Sequence, residues 1–193
     1  MNKMQKNEQI LVDAIVVRRT NFGEADRIIN IVSSQGKFTV MAKGVRREKS
    51  KLAGGIELFC LSKLVLMRGK SDFYTLVSAK MVKFYQGVML EMERLEFAAI
   101  VMRKIEKIME QVEDVRFFWL LNDVLEAIDQ GCELDVIKAW FLFKFLHEKE
   151  EEVNLYNDRS GQKLEAGKRY SWDFMEKCLF EDEKFGDEVE MIK

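Results

Sequence analysis

The sequence predicts an α+β protein in which a small closed β-barrel is followed by an α-helical domain. Apolar and polar residues alternate in short runs up to about residue 80, with Gly, Asn or Ser between the runs. From Val88 onward the apolar spacing changes to three and four, which is typical of amphipathic helices. Charge also divides the chain: residues 1–85 contain 16 Lys+Arg and 7 Asp+Glu, a net charge of +9, and the remainder has a net charge of −11. The corresponding predicted domains are residues 1–82 and 83–193.

Five runs in the first module are predicted to form antiparallel strands. Val, Ile and aromatic residues are frequent in these runs, and turns rich in Gly, Asn or Ser separate them. A five-stranded barrel with basic loops is typical of the oligonucleotide/oligosaccharide-binding (OB) fold. Periodicity alone does not distinguish this fold from an SH3-like barrel. The predicted strands are Ile10–Arg19, Glu24–Ser33, Lys37–Lys43, Ile56–Arg68 and Phe73–Lys80.

One glycine-punctuated basic stretch, residues 36–52, stands out in the first module. Gly44 is predicted to end its strand and to open a loop, residues 44–52, which we call the basic loop. Such a loop cannot bury itself, so its charges face water or a polyanion, and phosphates are the commonest polyanion in a cell. A solvated surface loop is the alternative interpretation. The basic loop contains one acidic residue, Glu48, and four cationic ones, Arg46, Arg47, Lys49 and Lys51.

Helices are predicted throughout most of the second module. Gly131 follows the second helix and is a natural C-terminal cap. The third helix is apolar on most sides, which favours a central place in a helical bundle. The predicted helices are Val88–Gln111, Val115–Gln130 and Leu134–Lys149, with a last short one over Trp172–Phe180.

The chain shows no motif for catalysis, metal binding or export. Cys60, Cys132 and Cys178 are odd in number and far apart, which indicates a reduced, intracellular protein without a disulfide framework. His147, the only histidine, lies beside Glu148 at the end of a predicted helix, where it suits the surface. The sequence has no Ser/His/Asp set, no nucleotide-binding loop and no apolar run of roughly 18 residues. We therefore predict a cytoplasmic protein that is not an enzyme.

Four short motifs follow one another between residues 23 and 52. They are Gly23-Glu24-Ala25-Asp26-Arg27-Ile28-Ile29, Gly36-Lys37, Ala42-Lys43-Gly44-Val45-Arg46-Arg47 and Lys49-Ser50-Lys51-Leu52. Their order and spacing resemble the N-terminal signature of the DNA repair protein RecO family. The stretch from Trp140 to Leu146 is similar to that family's central aromatic and leucine helix. The resemblance implies an N-terminal OB domain followed by an α-helical domain.

The resemblance also implies a non-enzymatic recombination mediator of the RecF pathway. RecO proteins bind single- and double-stranded DNA, anneal complementary strands and work with RecR. They bind the C-terminal tail of the single-stranded DNA-binding protein and help to load RecA onto coated strands. The implied partners are therefore DNA, RecR and that tail, with RecA as an indirect partner. The implied location is cytoplasmic, and nucleoid-associated during repair.

The chain departs from the family pattern at a zinc site. Many RecO proteins have a Cys-x-x-Cys-Gly motif and further cysteines in the helical domain, but here Asn157 and Ser160 stand at the first cysteine pair and only Cys178 follows. Because structural zinc requires four Cys or His ligands, we predict no zinc and no other cofactor. The segment around residues 153–180 is then a degenerate zinc-finger-like segment. Side-chain packing is expected to hold it, through Leu155, Tyr156, Leu164, Tyr170 and Trp172.

Phosphate contacts are predicted for the basic loop and for cations on neighbouring segments. Lys and Arg neutralise backbone charge without reading the base sequence, which suits a protein that acts on any strand. For Arg27 the alternative is a surface ion pair with Glu24 or Asp26. The predicted DNA-binding residues are Arg46, Arg47, Lys49, Lys51, Lys43, Lys37, Arg27, Arg68 and Lys70.

Aromatic residues near the predicted turns are candidates for stacking on bases. Phe22 and Tyr74 are the preferred ones, since aromatic faces on barrel strands stack on bases in OB folds. Phe38 and Phe59 are instead predicted to lie in the core.

A pocket for an acidic and aromatic partner tail requires an apolar floor and cations at its rim. The candidate rim residues are Lys138, Lys144, Arg103 and Arg116, for each of which an ordinary surface charge is the alternative. Two other functions remain open. One is a protein-interaction adaptor whose barrel docks RecR or the single-stranded DNA-binding protein with little DNA binding. The other is an RNA-binding OB protein, which fits the barrel but not the helical half.

Overall fold

The structure is a computed structural model, and it describes residues 9–68, 73–149, 156–173 and 178–181. The chain divides into two compact units, Met1–Leu142 and Phe143–Lys193. The first unit contains a barrel and the helical residues that follow it up to Leu142, and the second contains the end of the last long helix and a small two-stranded sheet. The domain division predicted between residues 82 and 83 remains a prediction.

Five strands close into a barrel in the order β1-β2-β3-β5-β4. This Greek-key order is that of the OB fold. The predicted fold class is therefore confirmed, and the order distinguishes the barrel from the SH3-like alternative. The strands are β1 Gln9–Phe22, β2 Asp26–Ser33, β3 Gly36–Ala42, β4 Cys60–Arg68 and β5 Tyr74–Phe84.

One strand contact in the barrel is parallel. β3 and β5 pair side by side at Val40 with Tyr74 and at Met41 with Thr75. The other four contacts are antiparallel. The prediction of antiparallel strands throughout is therefore wrong at this contact, because a closed ring with an odd number of strands cannot alternate direction everywhere.

Strand β1 is long enough to pair with two neighbours in succession. It pairs with β4 from Gln9 to Ile15 and with β2 from Ala14 to Phe22. The register shifts between Val16 and Arg18, and such a bulge bends a strand around a barrel corner. β1 therefore continues three residues beyond its predicted end at Arg19, and the turn into β2 begins at Gly23.

Inward-facing side chains from all five strands fill the barrel. Each fully buried Val, Leu or Ile side chain stabilises the fold by about 1.5–3 kcal/mol relative to an exposed one. Phe59 is 8% exposed, which confirms its predicted place in the core. Phe38 is only partly buried and packs against the edge of this core. The core residues are Val12, Ala14, Val16, Ile29, Ile31, Val40, Ala42, Val45, Ile56, Leu64, Leu66 and Leu76.

The three long predicted helices are confirmed as α1 Met92–Ile108, α2 Arg116–Asp129 and α3 Leu134–Glu148. α1 begins later than predicted because residues 86–89 form a 3₁₀ turn. Gly131 has a φ of +76°, and the Cys132 amide donates to the Ala127 carbonyl at 3.1 Å, so the predicted glycine cap ends α2. In the described ranges, no helix combines the length and apolarity needed to cross a membrane.

The prediction that α3 is central to a helical bundle is wrong for one of its faces. Ile137 and Phe141 are buried, and the Phe141 ring packs edge-on against Phe97 of α1 with the centroids 6.0 Å apart. On the adjacent face, Val136 is 64% exposed and Trp140 is 36% exposed. Not every apolar face of α3 is therefore covered.

The predicted last helix over Trp172–Phe180 is wrong. The second unit has two short antiparallel strands there, β6 Tyr170–Asp173 and β7 Cys178–Glu181. Lys168 pairs with Glu181 of β7 at 3.1 Å. Nine residues are too short a stretch for the spacing of apolar side chains to distinguish a helix from strands, and cross-strand pairing determines the local structure instead. The tail beyond Glu181 lies outside the described residues.

The segment between β5 and α1 is attached to α2. Lys83 pairs with Glu126 at 2.6 Å and with Asp129 at 3.1 Å. The Gly87 amide donates to Asp129 Oδ1 at 2.9 Å. Just before it, the Tyr85 hydroxyl lies 2.7 Å from Asn122 Oδ1, to which it donates. These bonds connect the end of the barrel directly to α2.

Replacing Asp129 by Asn is expected to reduce stability at neutral pH but not in acid. The Gly87 amide and the Lys83 ammonium hold the pKa of Asp129 below its usual range. A carboxylate with a lowered folded-state pKa stabilises the fold above its unfolded-state pKa, about 3.9, and this contribution is lost as the pH falls through the folded-state value. Urea unfolding between about pH 2.5 and pH 7 measures the difference.

The matched control for this change is Asp123→Asn, an exposed carboxylate on the same helix. Its effect on the unfolding midpoint is expected to be small at every pH, since surface charges contribute little. A pH-independent loss in Asp129→Asn would contradict the assigned role of the charge. It would show that the loss comes from the asparagine side chain itself and not from removal of the negative charge.

Candidate nucleic-acid interface

The basic loop is anchored in the barrel at both ends. Gly44 has a φ of +64°, so the chain turns sharply at the end of β3, as the sequence predicted. Val45 is 2% exposed and belongs to the core, and Leu52 packs against the same core. The side chains between these two anchors that carry positive charge are all exposed, namely Arg46, Arg47, Lys49 and Lys51.

Backbone hydrogen bonds hold the basic loop against the turn between β1 and β2. The Gly44 amide donates to Asp26 Oδ1 at 2.6 Å, and the Arg46 amide donates to the Ala25 carbonyl at 2.9 Å. The Arg46 guanidinium also reaches the Gly23 carbonyl at 3.2 Å. Because these bonds already hold the backbone, the ordering cost of binding an anion falls mainly on the exposed side chains.

Asp26 positions the basic loop, a role that the charge pattern did not identify. Its carboxylate holds the Gly44 amide across two strands, 18 residues away in sequence. Arg27 donates instead to the Asn21 amide oxygen at 3.1 Å. Among the described residues Arg27 has no ion pair with Glu24 or Asp26, so the alternative interpretation of this arginine is wrong.

The cations predicted beyond the loop fall into two groups. Lys43 is exposed at the loop entrance, and Arg27 pairs in register with Ala42, immediately before it. Arg68 is exposed at the end of β4, opposite Tyr74 of β5. Lys70 lies outside the described residues. The structure thus places Arg27 and Lys43 beside the basic loop, and Arg68 beside the β3–β5 contact.

Lys37 lies apart from the basic loop. It is near the start of β3, six residues from Lys43, which corresponds to about 20 Å along a strand. Its ammonium pairs with Glu110, which follows α1, and its side chain is 13% exposed. The alternation of side chains therefore predicted that Lys37 lies on β3. The charge of Lys37 alone did not predict that Glu110 is its partner.

The two stacking candidates differ in accessibility. Phe22 is 51% exposed at the end of β1, beside the turn that holds the basic loop. Tyr74 is partly buried, and its ring packs edge-on against Phe38 with the centroids 4.9 Å apart. Phe22 therefore offers a free aromatic face, whereas the Tyr74 ring already has a neighbour.

The candidate rim residues of a partner-tail pocket lie on different helices. Lys138 donates to Glu93 at 2.5 Å and to Asp135 at 3.0 Å. Arg116 donates to Asp114 at 2.6 Å. Arg103 and Lys144 are exposed. Two cavities, one lined by Phe59 and Met81 and the other by Lys37 and Thr39, do not contain any of these four cations in their lining. The location of such a pocket remains a prediction.

The degenerate zinc-finger-like segment is organised by a carboxylate. Asp158 Oδ1 accepts hydrogen bonds from the Ser160 amide at 2.9 Å, the Ser160 hydroxyl at 2.7 Å and the Gln162 amide at 2.9 Å. The Ser160 hydroxyl is the main reason that the pKa of Asp158 lies below its usual range. Within the described residues, no group of three or more His, Cys, Asp or Glu side chains is placed to hold a metal ion.

The packing expected around this segment is only partly present. Tyr156 is 77% exposed, so its predicted packing role is wrong. The Tyr170 hydroxyl instead accepts a hydrogen bond from the Glu165 amide at 3.1 Å. Leu164 is partly buried, Leu155 lies outside the described residues, and Trp172 lies in β6. The predicted packing is therefore wrong for Tyr156, and it stays a prediction for Leu155 and Trp172.

Comparisons with known proteins identify the barrel. A family described as recombination protein O, N terminal, matches residues 4–85. The chain is 45% identical over 89 residues to a DNA repair protein RecO of Acetivibrio thermocellus, across 46% of this chain and 35% of that protein. It is 32% identical over 125 residues to one of a Roseiflexus species, across 64% and 44% of the two chains.

A third relative extends the match into the helices. The DNA repair protein RecO of Dehalococcoides mccartyi strain CBDB1 is 31% identical over 146 residues, across 74% of this chain and 57% of that protein. The chain thus spans about half the length of the curated relatives that it matches. The barrel topology, the motifs that flank the basic loop and these matches agree, and the chain belongs to the RecO family.

Proposed function

We propose that this chain is a DNA repair and recombination mediator that binds single- and double-stranded DNA through the basic loop. The observation that carries the proposal is a loop of four exposed cations on a backbone that hydrogen bonds already hold in place. In the described part of the chain, none of the four side chains forms an ion pair with a carboxylate. The names of the relatives support a role in DNA repair.

The proposed mechanism is electrostatic and independent of base sequence. Each cation that contacts a phosphate releases a condensed counterion, and this release favours binding to any strand. Neutralised strands repel one another less, which favours annealing of complementary strands. The exposed Phe22 ring beside the loop offers a stacking surface for an unpaired base. The protein acts in this proposal by binding and not by catalysis.

The family's partners complete the proposal. We include RecR and the C-terminal tail of the single-stranded DNA-binding protein as direct partners and RecA as an indirect one, loaded after strands are exposed. The corresponding location is the cytoplasm, at the nucleoid during repair. We infer these partners from family membership, because the names of the relatives mention only DNA repair.

A protein-interaction adaptor is the second candidate function, and one cavity favours it. An apolar cavity of about 330 Å³ lies in the barrel-containing unit, with the Arg19–Glu57 ion pair in its lining. Met89 at its edge is 59% exposed, and the next residue, Leu90, is 79% exposed. Exposed apolar side chains around a cavity are typical of protein-docking surfaces. The apolar lining residues are Leu58, Phe59, Met81, Phe84 and Met89.

Salt dependence tests the mediator against the adaptor. If four to six phosphates are contacted, binding of a labelled single strand is expected to weaken by roughly two orders of magnitude between 50 and 200 mM salt. Fluorescence anisotropy measures this, and annealing of two complementary strands is followed in parallel. Capture of purified RecR with little salt dependence, together with no DNA binding at 50 mM salt, would favour the adaptor and contradict the mediator.

A further inference from the structure

Two cations on the barrel wall lie outside the basic loop and contact the same helical segment. Arg18 of β1 pairs in register with Asn30 of β2. Lys37 of β3 pairs in register with Val32 of the same strand. Asn30 and Val32 are two residues apart and therefore lie on the same face of β2. Arg18 and Lys37 thus face the same side of the barrel wall, one on each side of β2 and next to α1.

Helix α1 and the residues after it place a carboxylate on each of these cations. Glu106 Oε1 lies 3.1 Å from the Arg18 guanidinium and accepts a hydrogen bond from the Asn30 amide at 2.6 Å. Glu110 pairs with the Lys37 ammonium, which holds the pKa of Glu110 below its usual range. Glu106 and Glu110 are four residues apart, the spacing at which side chains lie on one helical face.

These carboxylates satisfy the cations in the way that phosphates would. Carboxylate and phosphate oxygens both accept charge-assisted hydrogen bonds from Arg and Lys. Each pair has one exposed member, because the Arg18 side chain is 60% exposed and the Glu110 side chain 53%, whereas Glu106 and Lys37 are 12% and 13% exposed. Solvent and salt therefore reach each pair from one side and weaken its attraction. A polyanion that brings several charges at once can therefore replace them.

The wall beside Lys37 also has room for a ligand. A polar cavity of about 770 Å³ lies between the β2–β3 turn and the end of α1. Its lining includes Lys37, Thr39 and Gln111 as donors, together with Glu110 and Glu113. A phosphate group that displaced Glu110 from Lys37 would find further hydrogen-bond donors in the same cavity.

We propose that Arg18 and Lys37 form a second phosphate-binding site for nucleic acid, and that Glu106 and Glu110 occupy this site when no strand is bound. The inference rests on the proposed function, since the basic loop is taken as the first contact. A strand that leaves the loop along β3 reaches Lys37 after about 20 Å. Glu106 and Glu110 then compete with the strand for Arg18 and Lys37, which weakens binding at this second site.

Replacing both carboxylates by glutamine tests this site. The variant Glu106→Gln/Glu110→Gln retains the side-chain shape and an oxygen that accepts from Asn30, but it removes both negative charges. Its affinity for labelled oligodeoxythymidine is expected to rise by about threefold to thirtyfold at 50 mM salt, since the two carboxylates no longer compete with phosphates for Arg18 and Lys37. The plot of log affinity against log salt is expected to steepen by about 1.4, because each added single-strand phosphate contributes about 0.7.

The matched control is Glu96→Gln/Glu133→Gln, which changes the net charge equally at two exposed positions. Equal slopes in the control and the test variant would overturn the second site and leave the proposed function intact. No binding by the wild type or by any variant would overturn both. If thermal melting shows that the double variant is not folded at the assay temperature, the single variant Glu110→Gln is measured instead. Its salt slope is expected to be steeper than that of the wild type by about 0.7.

A reversal experiment identifies the cations themselves. Adding Arg18→Gln and Lys37→Gln to the glutamine variant is expected to return the salt slope to the wild-type value, because the two extra phosphate contacts are lost again. A slope that stays steep in this quadruple variant would show that other cations hold the strand. The assignment of Arg18 and Lys37 would then be wrong.

Discussion

Replacing Arg46, Arg47 and Lys49 together by glutamate is expected to weaken single-stranded DNA binding by at least roughly 100-fold at 100 mM salt. The three side chains are exposed on the basic loop. Their replacement removes the bond from the Arg46 guanidinium to the Gly23 carbonyl but leaves the backbone amides of Gly44 and Arg46 bonded to Asp26 and Ala25. The change removes three phosphate contacts and puts three negative charges in their positions. The salt slope is expected to fall by about 2, and annealing of complementary strands is expected to fail.

The control for this triple variant carries the same change in net charge at distant exposed positions. Arg103→Glu/Lys144→Glu/Lys163→Glu alters three exposed cations outside the barrel, and thermal melting confirms that both proteins fold. If the control loses as much affinity, binding depends on overall charge and not on the loop. If the loop variant binds and anneals as the wild type does, the DNA surface lies elsewhere.

The features that the sequence predicted well are those that depend on neighbouring residues. Alternation of apolar side chains located all five strands, and glycine located sharp turns, since Gly44 and Gly131 both have positive φ. The basic loop was predictable for the same reason, because a short run of cations without apolar side chains can only lie at the surface. Local composition thus determined where the loop lies and what it exposes.

The features that the sequence did not predict depend on contacts between distant residues. Lys37 and Glu110 are 73 residues apart, and no local pattern links them. Asp26 and Gly44 likewise meet only once β2 and β3 pair. The pairing of β6 with β7 also depends on a cross-strand partner, which four-residue runs do not reveal. The sequence therefore predicted the same DNA-binding role for Lys37 and Arg46. In the structure, Lys37 lies apart from the basic loop and pairs with Glu110.

Replacing Gly55 by alanine is expected to lower the free energy of unfolding by about 1–3 kcal/mol, the usual cost of overpacking a core. Gly55 is buried in the 3₁₀ turn Ala53–Ile56 that follows the basic loop. A Cβ atom there would lie 2.5 Å from the Cβ of Ala79 and 2.7 Å from its carbonyl carbon. One of these atoms belongs to the backbone of β5, and the other is the Cβ atom attached to it. Neither is the end of a flexible side chain that could move aside. Urea unfolding measures the loss.

The neighbouring glycine supplies the control, because a Cβ at Gly54 would meet no atom within 4 Å. Gly54→Ala is expected to leave stability unchanged or to raise it by up to about 1 kcal/mol, since alanine restricts the unfolded chain. The two variants differ only in which glycine carries the methyl group, so the gap between their unfolding midpoints measures the contact with β5. Equal midpoints would show that the turn can move away from Ala79. The end of the basic loop would then be held by Leu52 and Ile56 alone.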